Sequence, residues 1–277
     1  MIEEVLFFQA GYCTHPEFVA IAGGSFKSRR FPALVAILKH PEFGYILFDT
    51  GYSSRFYEEV KHFPYSVYGR VTPVYFREEE SIVRQLEKLG IAANDISYVI
   101  LSHLHADHIA GTRDFPKATF ITMKKTYDDV KDRTGFSAVR KAFIPNLLPT
   151  DFAQRLRYLE DQPKVKNPFG DGSFETGYDL FGDGKIVGIE LSGHAKGQFG
   201  ITFETKEQGR YFLIADACWL SETYRSLRFP AAVASLIMDD SKEFKENVYR
   251  IHQLHTNRPE LKIIPTHCDE LFSEEQV

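Results

Sequence analysis

A basic excess is missing from this 277-residue chain. Its 33 Lys and Arg stand against 38 Asp and Glu, a net charge of −5, and no Lys/Arg block interrupts that balance. A general nucleic-acid binder normally shows the opposite sign, so that class is set aside. Long apolar runs are also missing: nothing approaches the roughly 20 residues of a membrane span. The opening Met1-Ile2-Glu3-Glu4 is acidic, and the following Val5-Leu6-Phe7-Phe8 is too short for a signal-peptide core. Cysteine is scarce, with Cys13, Cys218 and Cys268 widely spaced and odd in number. That excludes a disulfide framework and fits reduced thiols in a cytoplasmic protein. Neither a repeat of solenoid period nor a low-complexity tract is present.

Apolar and aromatic residues are plentiful: 43% hydrophobic, with 24 Phe and 14 Tyr. This is ample for a packed core, with aromatics left over for the walls of an apolar pocket. Strands are expected at Val5–Gln9, and at Leu34–Lys39 and Gly44–Phe48 as a hairpin. Further strands are expected at Tyr98–Leu101, Ala118–Thr122, Ile186–Leu191, Phe199–Glu204, Tyr211–Ala215 and Leu261–Ile264. Ile82, Leu86 and Leu89 predict a helix over Glu79–Leu89 with Gly90 at its C-terminal cap. Phe244, Val248 and Ile251 predict a second, which Ser241 could cap and Pro259 would end. Residues 52–77 are an aromatic stretch without clear periodicity. Residues 123–160 read as an inserted helical cap, and 161–185, rich in Gly, Asp, Asn and Pro, as loop. Strands accompanied by a helix, twice over, predict an α/β fold: an αββα sandwich of two mixed sheets with flanking helices.

The chemistry concentrates in His103-Leu104-His105-Ala106-Asp107-His108, which follows the apolar Tyr98-Val99-Ile100-Leu101. Neutral imidazole and carboxylate are the common ligands of zinc and its neighbours. Four such side chains at the end of a buried strand make a candidate metal site. Three more polar residues end apolar runs in the same way: His194 after Ile186–Leu191, Asp216 after Tyr211–Ala215, and His267 after Leu261–Ile264. Asp49-Thr50-Gly51 closes another strand. Asp49 either orients a ligand imidazole or only caps its turn. Cys218 and Cys268, beside Asp216 and His267, are either thiolate ligands or small residues packed beneath the site. His15, His40, His62, His252 and His255 lie outside the pattern, although His15 sits in an N-terminal segment within reach of a cleft.

In type and order these residues resemble the metallo-β-lactamase superfamily over roughly residues 30–270. The resemblance implies one metallo-β-lactamase-like domain spanning 1–277. It also implies a pair of divalent ions, zinc first, with manganese, iron and cobalt admitted by the same donors. His103, His105 and His194 would hold one ion, and Asp107, His108 and His267 the other. Asp216 would bridge them. A bridging hydroxide would then attack the substrate, with Asp107 handling its proton.

Within the superfamily the chain looks most like the quorum-quenching N-acyl-homoserine lactone lactonases. It shares their aromatic N-terminal region, the helical insertion and the segment Asp216-Ala217-Cys218. The expected reaction is lactone-ring opening on a small molecule with an apolar moiety. Those lactonases usually carry a tyrosine three residues after the bridging Asp; here Trp219 stands there. Tyr224 is the expected substitute for its hydroxyl, and Trp219, Phe63 and Tyr68 are expected to contact substrate. Gln198 replaces a histidine frequent in the superfamily.

Three other readings stay open. A thioesterase of glyoxalase-II type would share the ligands but usually adds a basic C-terminal helical region. A phosphodiesterase would want a positive surface. A binding protein without activity normally shows missing ligands, and none is missing. The 52–76 stretch suits a homodimer contact as well as a substrate wall.

Overall fold

The computed structural model describes residues 1–273; positions 274–277 of the expected 1–277 domain lie outside the described residues. Two sheets are built around central strands that are apolar on both faces. The first sheet contains β1 (Glu4–Pro16), β2 (Ser28–His40), β3 (Gly44–Phe48), β4 (Val74–Tyr75), β5 (Ile96–Ile100), β6 (Thr119–Thr122) and β7 (Leu156–Tyr158). Its spatial order is β4-β1-β2-β3-β5-β6-β7. The β1–β4, β1–β2 and β2–β3 pairs are antiparallel, and β3–β5, β5–β6 and β6–β7 are parallel.

The second sheet contains β8 (Lys164–Lys166), β9 (Thr176–Asp179), β10 (Ile186–Glu190), β11 (Phe199–Thr205), β12 (Gly209–Ala215) and β13 (Lys262–Pro265). Its order is β13-β12-β11-β10-β9-β8, antiparallel except for β12–β13.

The period-2 geometry of a strand sorts these apolar runs into three layers. Between the sheets, Leu34, Ala36, Leu38, Phe48 and Ile100 meet Phe199, Ile201, Phe203 and Leu213. Alternate residues of the same strands, Val35, Ile37, Leu47 and Val99, face outward onto Ile82, Leu86 and Phe56. Beyond the second sheet, Val187, Ile189, Phe212 and Ile214 receive Phe244, Val248, Ile251 and Leu254 of helix Ser241–Asn257. A buried side chain of this size contributes roughly 1.5–3 kcal/mol, so these layers dominate the stability. The arrangement is the expected αββα sandwich.

Several local readings differ from expectation. Asp240, not Ser241, caps the long helix: its carboxylate accepts from the backbone N–H groups of Lys242 and Glu243. The 161–185 segment is not all loop, because β8 and β9 pair there as the edge of the second sheet. The 52–77 stretch holds helices Ser54–Glu59 and Tyr65–Val71. Among the described residues no helix is long and apolar enough to cross a membrane.

Candidate metal centre and cleft

Strand direction brings the chemistry together. β3 and β5 run parallel, so Asp49 and the His103–His108 segment leave the first sheet at one edge. In the second sheet β10, β12 and β13 share one direction, so His194, Asp216 and His267 leave at one edge too. Two of these exits need a left-handed backbone: Asp49 has φ 60° and Ala215, just before Asp216, has φ 48°. Such values are uncommon outside glycine and persist where surrounding structure enforces them. Gly193, with φ 132°, sets the turn before His194; a Cβ there would stand 2.3 Å from the backbone nitrogen of Phe244.

The seven candidate ligands are packed at one point. Ligand atoms of His103, His105 and His194 lie within 4.8 Å of one another; so do those of His103, His108 and Asp216, and those of Asp107, His108 and His267. Asp216 stands 3.0 Å from His267 Nε2, 3.3 Å from His194 Nε2 and 3.4 Å from His108 Nε2. Asp107 stands 3.4 Å from His267 Nε2 and 3.6 Å from His108 Nε2. His194 Nε2 and His105 Nδ1 face each other at 3.0 Å.

Hydrogen bonds decide which ring nitrogens are free. His108 Nδ1 donates to Asp49 Oδ2 at 2.8 Å, and His267 Nδ1 donates to the Pro32 carbonyl at 2.8 Å. Ser102 Oγ donates to Asp49, so it accepts from His103 Nδ1 at 3.1 Å. These partners fix the tautomers, since a carbonyl or carboxylate only accepts. In each ring this leaves Nε2 turned toward the site, the orientation that ligating histidines receive from their outer partners. His103 Nε2, His108 Nε2 and Asp216 Oδ1 are buried without a hydrogen-bond partner. Buried polar atoms left so are expensive unless paired or coordinated. The donor set therefore fits divalent metal.

Electrostatics agree with that reading. Burial, against the opposing pull of Asp216, pushes the His105 and His194 imidazoles down to about 3. Burial and neighbouring imidazoles hold His103 well below its ordinary value. These rings stay neutral, the form that binds metal. Burial also opposes charge on His108 and His267, but the surrounding carboxylates outweigh it and raise both. Burial would raise Asp216; charge from His267 and His108 wins and holds it well below the usual carboxylate range.

Beside the cluster opens a cavity of about 310 Å³. His105, Asp107, His194, Asp216 and His267 form its polar end. Its walls are mostly apolar and include Val19, Phe31, Val71, Val139, Ala234 and Ile237. Trp219 belongs to this wall and meets His194 edge-on at 5.6 Å. Tyr68 belongs to it as well, and burial together with Asp107 keeps its phenol protonated by raising its pKa. Two expected substrate contacts are placed elsewhere. The Tyr224 hydroxyl donates to the Ile263 carbonyl at 3.0 Å, and its ring packs against His255. The helix Ser221–Ser226 turns that side chain away from the cleft and into the layer beneath the second sheet. Phe63 is 74% exposed and stacks edge-on with Phe136 at 5.2 Å, outside the cavity wall.

Cys218 is buried in the apolar layer behind the second sheet, where burial pushes its thiol up, and Cys268 Sγ accepts from Ser221 Oγ at 3.3 Å. Sequence reasoning missed Ser102, which sits inside the motif run, and the Pro32 carbonyl, for which a backbone acceptor leaves no signal. It also missed Cys13 and Arg140, which line the cavity, whereas Trp219, Tyr68, His15 and, within the aromatic stretch, Tyr52 are residues of that wall that the sequence offers.

Residues 31–214 match the family model of the metallo-beta-lactamase superfamily. The chain belongs to that superfamily. It is a metal-dependent hydrolase. It is similar to the N-acyl homoserine lactonase AttM of Azorhizobium caulinodans, 28% identical over 74% of this chain and 72% of that protein. A probable metallo-hydrolase of Mycobacterium tuberculosis is 25% identical over 85% of this chain and 74% of that protein. Among solved structures, an N-acyl homoserine lactone hydrolase with N-hexanoyl-L-homoserine bound at its catalytic metal centre shares the fold at TM-score 0.76. It is 20% identical, covering 99% of this chain and 96% of that one.

Proposed function

We propose that this protein opens the lactone ring of N-acyl-homoserine lactones at a two-metal centre. His103, His105 and His194 hold one ion, Asp107, His108 and His267 the second, and Asp216 lies between them. The observation that carries the reading is the junction itself: converging imidazole and carboxylate donors form one end of a cavity whose remaining walls are mostly apolar. Its roughly 310 Å³ falls in the range of small-molecule pockets. Lactonase relatives support the choice of substrate.

Divalent ions at such a centre, zinc being the first choice, supply positive charge beside a carbonyl and activate water near neutral pH. The chain's own part is positional. His108 and His267 are locked by Asp49 and Pro32, so the reacting end is pre-organised. The apolar wall takes the acyl tail and keeps bulk water from it. Asp107 lines the cavity; its carboxylate orients the attacking water and takes one proton. Water oxygen bonds to the carbonyl carbon, the ring C–O bond breaks, and Asp107 returns the proton to the departing ring oxygen. The product is the open hydroxy acid.

One observation favours a second reading. A polar cavity of about 410 Å³ also borders His105 and His194; Arg133 and Lys141 in its wall pair with Asp129 and Asp239, while Arg140 and Lys196 add further positive charge. Such a wall suits an anionic substrate, for instance a phosphodiester. The test is a panel of a medium-chain acyl lactone, a thioester and a phosphodiester, run on protein whose metal content has been measured. Close to two divalent ions per chain and fastest turnover of the lactone are expected. A clear phosphodiester preference overturns the lactonase reading; negligible metal after adding zinc, manganese or cobalt overturns the two-metal centre.

A further inference from the structure

The apolar cavity contains a hydroxyl with no assigned use. Tyr52 and Tyr68 both line it, but their oxygens differ. The Tyr52 hydroxyl is sealed in against the Cys13 thiol, away from any occupant. The Tyr68 hydroxyl bonds no protein group among the described residues, yet it is not among the sealed atoms. It is thus a donor open to whatever fills the cavity. Its ring is held firmly. Phe56 meets it edge-on at 5.8 Å, and Thr72 N donates to its backbone carbonyl at 2.9 Å. The helix Tyr65–Val71 that carries it packs so closely that a Cβ on Gly69 would stand 3.0 Å from Val60 Cβ. Tyr68 lines the same cavity as Asp107, Asp216 and Trp219, so an occupant that reaches the metal-capable cluster shares its space with this side chain.

An occupant that fills this space without offering an acceptor leaves a buried donor unsatisfied, which costs affinity. An occupant with a carbonyl there removes that cost. Trp219 brings only one N–H and cannot accept. Given the lactonase reading, on which this inference rests, the available acceptor is the amide carbonyl carried on the ring carbon next to the reacting carbonyl. We propose that the Tyr68 hydroxyl donates to this amide carbonyl and makes the enzyme select acylamino lactones over plain alkyl lactones. Tyr68 is a specificity-determining residue; it positions the substrate and takes no proton.

The experiment compares N-hexanoyl-homoserine lactone with an alkyl γ-lactone of similar length, in the metal-loaded wild-type enzyme and in Tyr68→Phe. The change removes one oxygen and leaves the packed ring. For the acylamino lactone, kcat/KM is expected to fall about 10–100-fold, mostly through KM. For the alkyl lactone it should stay within about twofold, and metal content and thermal midpoint should be unchanged. Equal losses on both substrates, or no loss on either, overturn the inference while leaving the lactonase reading intact. A wild-type enzyme that opens neither lactone overturns both.

Discussion

Asp49 is held in a left-handed conformation at the end of β3 and accepts three hydrogen bonds there, from Ser102 N, Ser102 Oγ and His108 Nδ1, each at 2.8 Å. One carboxylate thereby fixes the tautomer of His108 directly and that of His103 through Ser102. Removing it frees both rings to rotate or to swap tautomers. Asp49→Ala is expected to weaken metal binding about 10–100-fold, read by competition with a chelator; unchanged affinity would show that the rings are set by packing alone. At this scale the sequence was legible where residue type and order are themselves the signal, as in His103–His108. It was illegible where side-chain direction matters. Tyr224 and Phe63 are both aromatic, but helix Ser221–Ser226 points one under the sheet and the turn before helix Tyr65–Val71 leaves the other in solvent.

The long helix Ser241–Asn257 is tied to the metal-capable edge by its beginning. Asp240 N donates to the Gly193 carbonyl, Asp239 N to the His194 carbonyl, and Asn247 Nδ2 to the Ser192 carbonyl. The segment that caps the helix is therefore the segment that grips the His194 turn. Asp240→Ala is expected to cost about 1 kcal/mol, seen as a lower urea midpoint with an unchanged slope. An unaltered midpoint would show that the cap bonds are replaced by water at no cost. Elements with strong periodicity, such as this helix and β2–β3, could be read from the sequence. The strands β7, β8 and β9 could not. They are only three or four residues long, two of the three residues in β8 are lysines, and β7 pairs with β6 across the intervening helical segment.

For the whole molecule, the cluster makes stability depend on acidity. In the folded state burial pushes His105 and His194 down to about 3, while an unfolded imidazole titrates near 6.5. As pH falls below about 6.5 the unfolded chain takes up protons that the folded chain refuses, so folding weakens. His108 and His267, raised in the folded state, oppose this above about pH 6.5, where only the folded chain holds their protons, and the opposition fades below it as the unfolded chain takes up the same protons. The metal-free protein is expected to show a thermal midpoint that drops steadily from about pH 6 to about pH 5. A flat profile over that range would contradict the burial of neutral rings. The candidate ligands also divide between the sheets: His103, His105, Asp107 and His108 on the first, His194, Asp216 and His267 on the second. His267 comes after every other one in chain order. A nascent chain still short of β13 thus displays an incomplete set of donors, able to touch an ion but not to enclose it. On the proposed assignment, the enclosure is completed by the last-made ligand, His267, when β13 joins the second sheet.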